Sequence, residues 1–106
     1  MKAPRITLSE LAIADILEQA DWYERQAGSA LPQRWERGVT RTLLQIAQRP
    51  RAGSPCRFKA GELGGIRRAA VSGFPKHLIF YQFQRDEVVV LRVVHGARDL
   101  ERLFSD

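Results

Sequence analysis

Cysteine is almost missing from this chain, because Cys56 is the single thiol among 106 residues. One thiol cannot form an intramolecular disulfide, so a packed core has to hold the fold, and the composition suits the reducing cytosol. Long apolar runs are also missing, since Glu10, Asp15 and Glu18 interrupt the apolar sequence near the N terminus. A membrane-spanning helix needs roughly 20 apolar residues in succession. We therefore expect a cytoplasmic protein without a secretory signal or a membrane anchor.

Metal ligands and phosphate-binding loops are equally scarce. The two histidines, His77 and His95, lie apart from Cys56 in the sequence and lack the spacing of a metal site. The segment GELGG at 61–65 lacks the lysine and the hydroxyl residue that complete a phosphate-binding P-loop. The sequence therefore predicts no metal and no cofactor.

Acidic residues are in the minority: 17 Lys and Arg stand against 12 Asp and Glu, which gives a formal net charge of +5. A basic protein attracts acidic partners, such as nucleic acid, an acidic protein segment or an anionic surface. With 44% hydrophobic residues the chain has the composition of a globular protein. Its length suits one domain, 1–106, built around a single core.

The pattern of the N-terminal half predicts a short strand at 3–8 followed by a helix. Ser9 suits the start of this helix because its hydroxyl can accept a hydrogen bond from a free amide of the first turn. Gly28 suits its end, because glycine readily adopts the left-handed conformation that follows a last turn. Apolar residues at helical spacing define the expected buried face: Ala12, Ile13, Ile16, Leu17, Ala20 and Tyr23.

A second helix is expected over 29–50, where Pro50 ends it. Its expected buried stripe advances by three or four residues at a time: Leu31, Trp35, Val39, Leu43 and Ile46. Gly38 costs about 1 kcal/mol relative to alanine inside a helix, so we expect it to permit close approach of the first helix. Two helices joined by a few residues form an antiparallel hairpin, which needs a further layer to bury its apolar stripes.

The C-terminal half carries the signals of a sheet. Glycines and a proline predict a loop over 51–65, and β-branched and aromatic residues predict strands at 66–72, 77–83 and 87–95. We expect turns at 73–76 and 85–86, and a short C-terminal helix that carries Leu100, Leu103 and Phe104. The sequence therefore predicts an α+β fold, in which an N-terminal strand and an antiparallel helical hairpin pack on a small, mainly antiparallel sheet.

The predicted sheet is apolar on both faces. If residues 85–86 form a two-residue turn, one face holds Leu78, Phe80, Val89, Leu91 and Val93. The opposite face then holds Ile79, Tyr81, Phe83, Val88, Val90 and Arg92. A sheet with one solvated face alternates apolar and polar residues, and this one does not. The hairpin can cover one face, and the other needs the C-terminal segment, a partner or a second copy.

Cationic residues stand at the ends of the predicted strands. Arg67 and Arg68 begin the first strand after the loop, and Arg92 and His95 end the last one. Because side chains alternate along a strand, Arg67 and Arg68 are expected on opposite faces. His77 begins its predicted strand, so we expect it to be exposed.

Several stretches occur here in a familiar order: AIADI (12–16), WYE (22–24), QRWERGVTRTLLQIAQRP (33–50), GIRRAAV (65–71), HLIFYQF (77–83) and VVLRVVHGARD (89–99). In order and spacing they resemble the RelE/ParE superfamily of bacterial type II toxins, and its ParE branch most closely. The resemblance implies a plasmid-stabilising module that arrests growth when its toxin is free. It also implies a ParD-like antitoxin, with a ribbon-helix-helix DNA-binding half and an acidic tail that wraps the toxin in a hetero-oligomer.

The resemblance implies two alternative targets. ParE-branch toxins act on DNA gyrase and block replication, whereas RelE-branch toxins cut messenger RNA, usually on the ribosome. Cleavage needs an acid, a base and cations near the phosphate, and this chain offers His95, Arg68, Arg92 and Glu62. Nucleolytic relatives commonly carry a tyrosine beside the last-strand histidine, but here residues 96–98 are Gly, Ala and Arg. We therefore predict gyrase inhibition by binding, with no catalytic residue.

The docking surface for gyrase and the antitoxin is expected on the sheet and at its C-terminal edge. Its predicted members are cationic or aromatic: Arg67, Arg68, Tyr81, Phe83, Arg92, His95 and Arg98. Reversing the charge of Arg92 is expected to weaken binding without unfolding the domain.

Overall fold

A computed structural model of the protein describes residues 3–28, 30–56 and 65–96. Within these residues, two helices pack on a mixed sheet of five strands, which confirms the expected α+β class. The elements in chain order are β1 (Arg5–Leu8), α1 (Glu10–Ala27), α2 (Ala30–Gln48), β2 (Ser54–Pro55), β3 (Ile66–Val71), β4 (Phe74–Gln84) and β5 (Glu87–His95). Neither α1 nor α2 is long and apolar enough to cross a membrane. The expected C-terminal helix lies outside the described residues.

Helix α1 begins and ends where its sequence predicts. The Ser9 hydroxyl accepts a hydrogen bond from the Ala12 amide at 3.0 Å, which satisfies one free donor of the first turn. At the other end Gly28 has a φ of 78°, and its amide donates to the Glu24 carbonyl at 3.0 Å. Local chemistry therefore fixes both ends of α1.

The buried face of α1 is narrower than expected. Ala12 and Ala20 are buried, but Ile13 and Leu17 remain 44% and 56% exposed, so their expected burial is wrong. Successive residues of a helix point about 100° apart. The sheet and α2 together cover a smaller arc than the one spanned by all the apolar residues of α1.

Helix α2 packs through its expected stripe. Trp35, Val39 and Ile46 are buried, and the indole of Trp35 donates to the Ile16 carbonyl of α1 at 3.1 Å. This hydrogen bond satisfies the one polar atom of a fully buried tryptophan. Trp35 therefore joins the two helices and fills the space between them and the sheet.

The sheet has the strand order β1-β5-β4-β3-β2. β1 pairs in parallel with β5, and the other neighbouring strands pair antiparallel. The expected loop over 51–65 contains the short strand β2, which pairs with Arg67 and Arg68 of β3. Two residues with a proline give almost no strand pattern, so only the pairing with β3 reveals this strand.

Two tight turns connect β3, β4 and β5. The turn at Arg85 and Asp86 is confirmed, and both residues have positive φ angles, 51° and 62°, as a two-residue hairpin turn of type I′ requires. The expected turn at 73–76 is wrong, because β4 already begins at Phe74. The Phe74 ring lies 5.2 Å from that of Trp35, so packing against the helices extends the strand.

The pairing of β4 with β5 contains a bulge at Leu91. Consecutive ladder pairs skip this residue: Tyr81 with Val90, and Phe80 with Arg92. One extra residue changes the face to which later residues of the strand point. Val93 therefore joins the core beneath the helices, where it was not expected, and Val94 takes its place on the second face.

The second face of the sheet holds a smaller apolar core. Ile66, Phe80 and Val94 are buried there, and Leu78 and Leu91 pack against them. The expectation of a sheet that is apolar on both faces is confirmed, apart from the exchange at the bulge.

Gly38→Ala is expected to destabilise the fold, although alanine is the better helix former by about 1 kcal/mol. A methyl group at this position would overlap the Ser72 carbonyl oxygen. The close approach is thus to the turn after β3, which corrects the expected approach to α1. Overpacking of this kind costs about 1–3 kcal/mol. Urea denaturation checks this, with the exposed Gln45→Ala on the same helix as control; equal stability of both variants would contradict it.

Candidate functional site

The start of α1 continues the hydrogen bonding that β1 begins along the edge of β5. Directly after β1, Ser9 donates from its amide to the Val90 carbonyl at 2.9 Å and from its hydroxyl to the Leu91 carbonyl at 2.8 Å. Further along α1, a carboxylate oxygen of Asp15 accepts a hydrogen bond from the Val93 amide at 3.0 Å. Polar groups of β5 that lie beyond the reach of β1 are therefore satisfied by residues of the following turn and helix.

Asp15 also holds Arg92. The guanidinium donates from Nε to Oδ2 at 2.8 Å and from Nη2 to Oδ1 at 2.9 Å, and the two side chains are only 14% (Arg92) and 9% (Asp15) exposed. The hydrogen bond to Asp15 raises the pKa of Arg92, although burial acts against it. Water screens this bidentate pair little. Arg92 therefore braces α1 against β5, which corrects the expectation that its charge can be reversed without cost to the fold.

Sequence analysis missed Asp15 as a member of this site. Its position gave a signal, because Asp15 lies beside Ile16 and three residues after Ala12, at the border of the buried face of α1. A carboxylate in such a place needs a donor. The donors, however, come from β5, and only the pairing of the sheet places them there.

His77 and His95 lie directly opposite each other on β4 and β5, with ring centroids 5.2 Å apart. The expected exposure of His77 is wrong: the residue is 8% exposed, and its ring lies 4.9 Å from that of Trp35. Burial lowers the pKa of His77, and the neighbouring His95 lowers it further. Because β4 begins at Phe74 rather than at 77, His77 lies inside the strand and under the helices.

A groove of about 930 Å³ opens between the C-terminal half of α1 and the adjoining ends of β4 and β5. Phe74 and His77 contribute to its apolar and aromatic lining, and Glu18, Lys76 and His95 add polar groups. Trp22 lines the groove as well, with 49% of its surface exposed. An apolar groove with a few polar groups is typical of a binding site.

Arg67 and Arg68 lie on β3, on the far side of β4 from Arg92 and His95. The Arg67 guanidinium donates to the Gly53 carbonyl at 2.8 Å. Arg68 is exposed, and its charge counteracts the burial that raises the pKa of the Cys56 thiol. The predicted cationic surface therefore divides between two regions of the sheet.

Tyr81 does not belong to the accessible surface. It is fully buried, and its hydroxyl accepts from the Gly53 amide at 3.1 Å and donates to the Pro50 carbonyl at 2.8 Å. Burial also raises its pKa. These contacts correct the expectation that Tyr81 meets a partner. Phe83 is half-buried, and the Arg51 guanidinium lies 5.1 Å from the centre of its ring.

The residues expected for RNA cleavage are spread across the protein. Arg92 is bound to Asp15, and Arg68 lies on β3, two strands away from His95 on β5. Glu62, like the docking residue Arg98, lies outside the described residues. Within residues 3–28, 30–56 and 65–96, no three His, Cys, Asp or Glu side chains are grouped as metal ligands.

Large apolar side chains remain exposed on the helices. On α1 they are Leu11, Ile13, Leu17 and Trp22, and on α2 the exposed residue is Leu44. Isolated exposed apolar residues are common. On α1 they lie on two sides of the helix: Ile13 and Leu17, four residues apart, share one side, whereas Trp22 lines the groove beside β4 and β5.

Residues 6–100 match the family described as the ParE toxin of the type II toxin–antitoxin system parDE. The chain belongs to the ParE toxin family. Its family therefore identifies it as a type II toxin, which confirms the resemblance seen in the order and spacing of the sequence stretches. A search of curated protein sequences finds no match.

Solved structures share the fold of this ParE-family chain at low sequence identity. A chain of the chromosomal ParDE system from P. aeruginosa matches with a TM-score of 0.71 and 14% identity, over 88% of this chain and 96% of that one. A chain of the RelBE2 toxin–antitoxin complex from Mycobacterium tuberculosis matches with a TM-score of 0.61 and 20% identity, over 89% of this chain and 99% of that one. A chain of the intact E. coli RelBE toxin–antitoxin complex matches with a TM-score of 0.57 and 15% identity, over 91% of this chain and 100% of that one. These similarities confirm the RelE/ParE fold.

Arg92→Glu is expected to destabilise the protein by roughly 2–3 kcal/mol, somewhat less than the loss of one partner from a fully buried ion pair. The new carboxylate would face Asp15, which would still be held by the Val93 amide. The exchanged variant Asp15→Arg/Arg92→Glu is expected to recover part of the loss. Urea denaturation of the three proteins measures both effects, and an unchanged stability of Arg92→Glu would show that the pair does not brace α1.

The free energy of unfolding is expected to decrease as the pH falls from about 7.5 to 5.5. Folded His77 has a pKa below its ordinary value of 6.5, so below pH 6.5 the unfolded chain binds a proton more readily, and acid favours unfolding. Most carboxylates titrate at lower pH. His77→Phe keeps a ring beside Trp35 but cannot be protonated, so its urea midpoint should change less over this range. An equal decrease in both proteins would assign the titration to other groups.

Proposed function

We propose that this ParE-family toxin inhibits DNA gyrase by binding it, without chemistry of its own, and that a ParD-like antitoxin neutralises it. Membership of the ParE family supports the gyrase target over the ribosome. Structures of similar fold come from ParDE and RelBE systems, which supports an antitoxin as the partner. The net charge of +5 favours an acidic partner and accelerates its encounter.

The observation that carries a binding function is the ion pair of Arg92 with Asp15. A residue that stabilises the phosphate in a cleavage reaction must have donors directed at the substrate. Arg92 instead directs Nε and Nη2 at the Asp15 carboxylate, at 2.8 and 2.9 Å. The last-strand cation that a ribonuclease would use thus has a structural role here.

The groove beside Trp22 is the proposed contact for an apolar part of the antitoxin tail. It combines an exposed indole with apolar walls, and Lys76 and His95 stand among its lining residues. A segment that carries apolar side chains and carboxylates would match both features. Such segments fold as they bind, and apolar burial then holds the complex that charge has brought together.

Purified toxin, separated from any co-expressed partner, tests the target. We expect it to inhibit gyrase in a DNA supercoiling assay and to leave messenger RNA intact in a reconstituted translation reaction read by primer extension. Cut message with normal supercoiling would contradict the proposal and would make His95 a candidate catalytic residue. Adding the antitoxin expressed from the neighbouring gene should restore supercoiling.

Trp22→Ala is expected to weaken antitoxin binding at least tenfold, because it removes a large apolar contact from the groove. Leu11→Ala is the matched control, since Leu11 is also an exposed apolar residue of α1 but does not line the groove. Isothermal titration calorimetry of both variants against the antitoxin measures the difference. Similar affinities for the two variants would place the antitoxin elsewhere on the toxin.

A further inference from the structure

The outward face of α1 carries an acidic stripe with an apolar centre. Its members follow one another at intervals of three or four residues and are all exposed: Glu10, Ile13, Leu17, Asp21 and Glu24. Residues at this spacing lie along one side of a helix. This stripe, which we call the α1 stripe, contains no basic residue although the chain as a whole is strongly basic.

The outward face of α2 carries the opposite charge. Arg34, Arg37 and Arg41 are all exposed. A shallow groove of about 560 Å³ runs along this face, lined by Gln33, Glu36, Arg37, Thr40, Arg41 and Leu44. The exposed Leu44 gives this groove an apolar end. We call Arg34, Arg37, Arg41 and Leu44, which follow one another at intervals of three or four residues, the α2 stripe. Glu36 also lines the groove, and the three arginines leave the face with a net positive charge.

The two stripes belong to neighbouring antiparallel helices. The Trp35 indole hydrogen-bonds to the Ile16 carbonyl at 3.1 Å, so the middle of α1 lies beside the first half of α2. Within the described residues, Asp15 is the only carboxylate of α1 that forms an ion pair, and it lies outside the α1 stripe. The hairpin therefore presents the acidic α1 stripe and the basic α2 stripe side by side. Each could contact a surface of opposite charge.

We propose that this face binds a second copy of the same chain. A two-fold axis parallel to the helices would place the α1 stripe of each copy over the α2 stripe of the other, because such an axis exchanges left and right but preserves the direction of each helix. Ile13 and Leu17 would then enter the groove beside Arg37 and Arg41, whose aliphatic stems can cover them. Both copies would use the same surface in this interface, so the assembly would stop at a dimer.

Charge complementarity within a single chain is the reason for choosing a second copy as the occupant. An unrelated helix would have to be basic where it meets α1 and acidic where it meets α2. The chain already contains a surface with that arrangement, which is its own hairpin turned by the two-fold axis. No residue of the α1 stripe or the α2 stripe lines the groove beside Trp22, so the dimer does not depend on the antitoxin contact proposed there.

Charge reversal on each helix gives a test in which folding and pairing can be separated. Variant A carries Glu10→Lys and Asp21→Lys on α1, and variant B carries Arg37→Glu and Arg41→Glu on α2. In A both stripes carry a net positive charge and in B both carry a net negative charge, so each variant repels a second copy of itself. A mixture of A and B restores opposite charges at both contacts of the two-fold interface.

Sedimentation equilibrium of the full-length toxin without antitoxin measures the outcome. We expect the parent protein to dimerise, with a dissociation constant that rises with salt, and A and B alone to dimerise at least tenfold more weakly. An equimolar mixture of A and B should form a heterodimer of near-parent affinity, detected with one variant fluorescently labelled. Far-UV circular dichroism and thermal melting show that each variant is folded.

Three results would overturn the proposal. The parent protein could remain monomeric up to about 1 mM, A and B could dimerise as well as the parent, or the mixture could fail to pair although both variants are folded. If A and B lose antitoxin binding while the parent stays monomeric, the occupant is a foreign helix and the proposed dimer is wrong. The supercoiling assay on A and B reports separately on the gyrase proposal.

Discussion

The structure depends on how the edge of β5 is satisfied where β1 ends. A strand edge inside a protein has amides and carbonyls that need partners. After four residues of β1, the chain turns into α1, and Ser9 and Asp15 take over as partners of Leu91 and Val93. The same carboxylate binds Arg92. One acidic side chain thereby sets the position of α1 over the sheet, and with it the groove that α1 forms with β4.

The bulge at Leu91 explains why Arg92 meets α1 instead of lying in the core beneath the helices. Without it, Arg92 would continue the alternation set by Val88 and Val90 and lie among the apolar side chains under the helices. The extra residue lets Val93 enter that core, while Arg92 meets Asp15 at the border of α1. A positive charge that looks like part of a phosphate site in the sequence thus becomes a brace between two layers.

The fold presents distinct surfaces that can serve distinct partners. The groove beside Trp22 is mainly apolar, the outer face of the helices is divided into acidic and basic stripes, and Arg68 is exposed at the other side of the sheet. A fold of this family can support different targets, because function depends on such surfaces rather than on the fold.

The sequence by itself determined the two helices and the turn between β4 and β5, because helix caps, apolar periodicity and turn residues act over a few positions. Ser9, Gly28, the stripe from Trp35 to Ile46 and the Arg85-Asp86 turn all follow from local rules. Only the tertiary structure decided the strand β2, the burial of His77 and Tyr81, and the pairing of Asp15 with Arg92. Each of these depends on residues far apart in the chain. Their register is set by the packing of the helices and by one bulge, which no local pattern encodes.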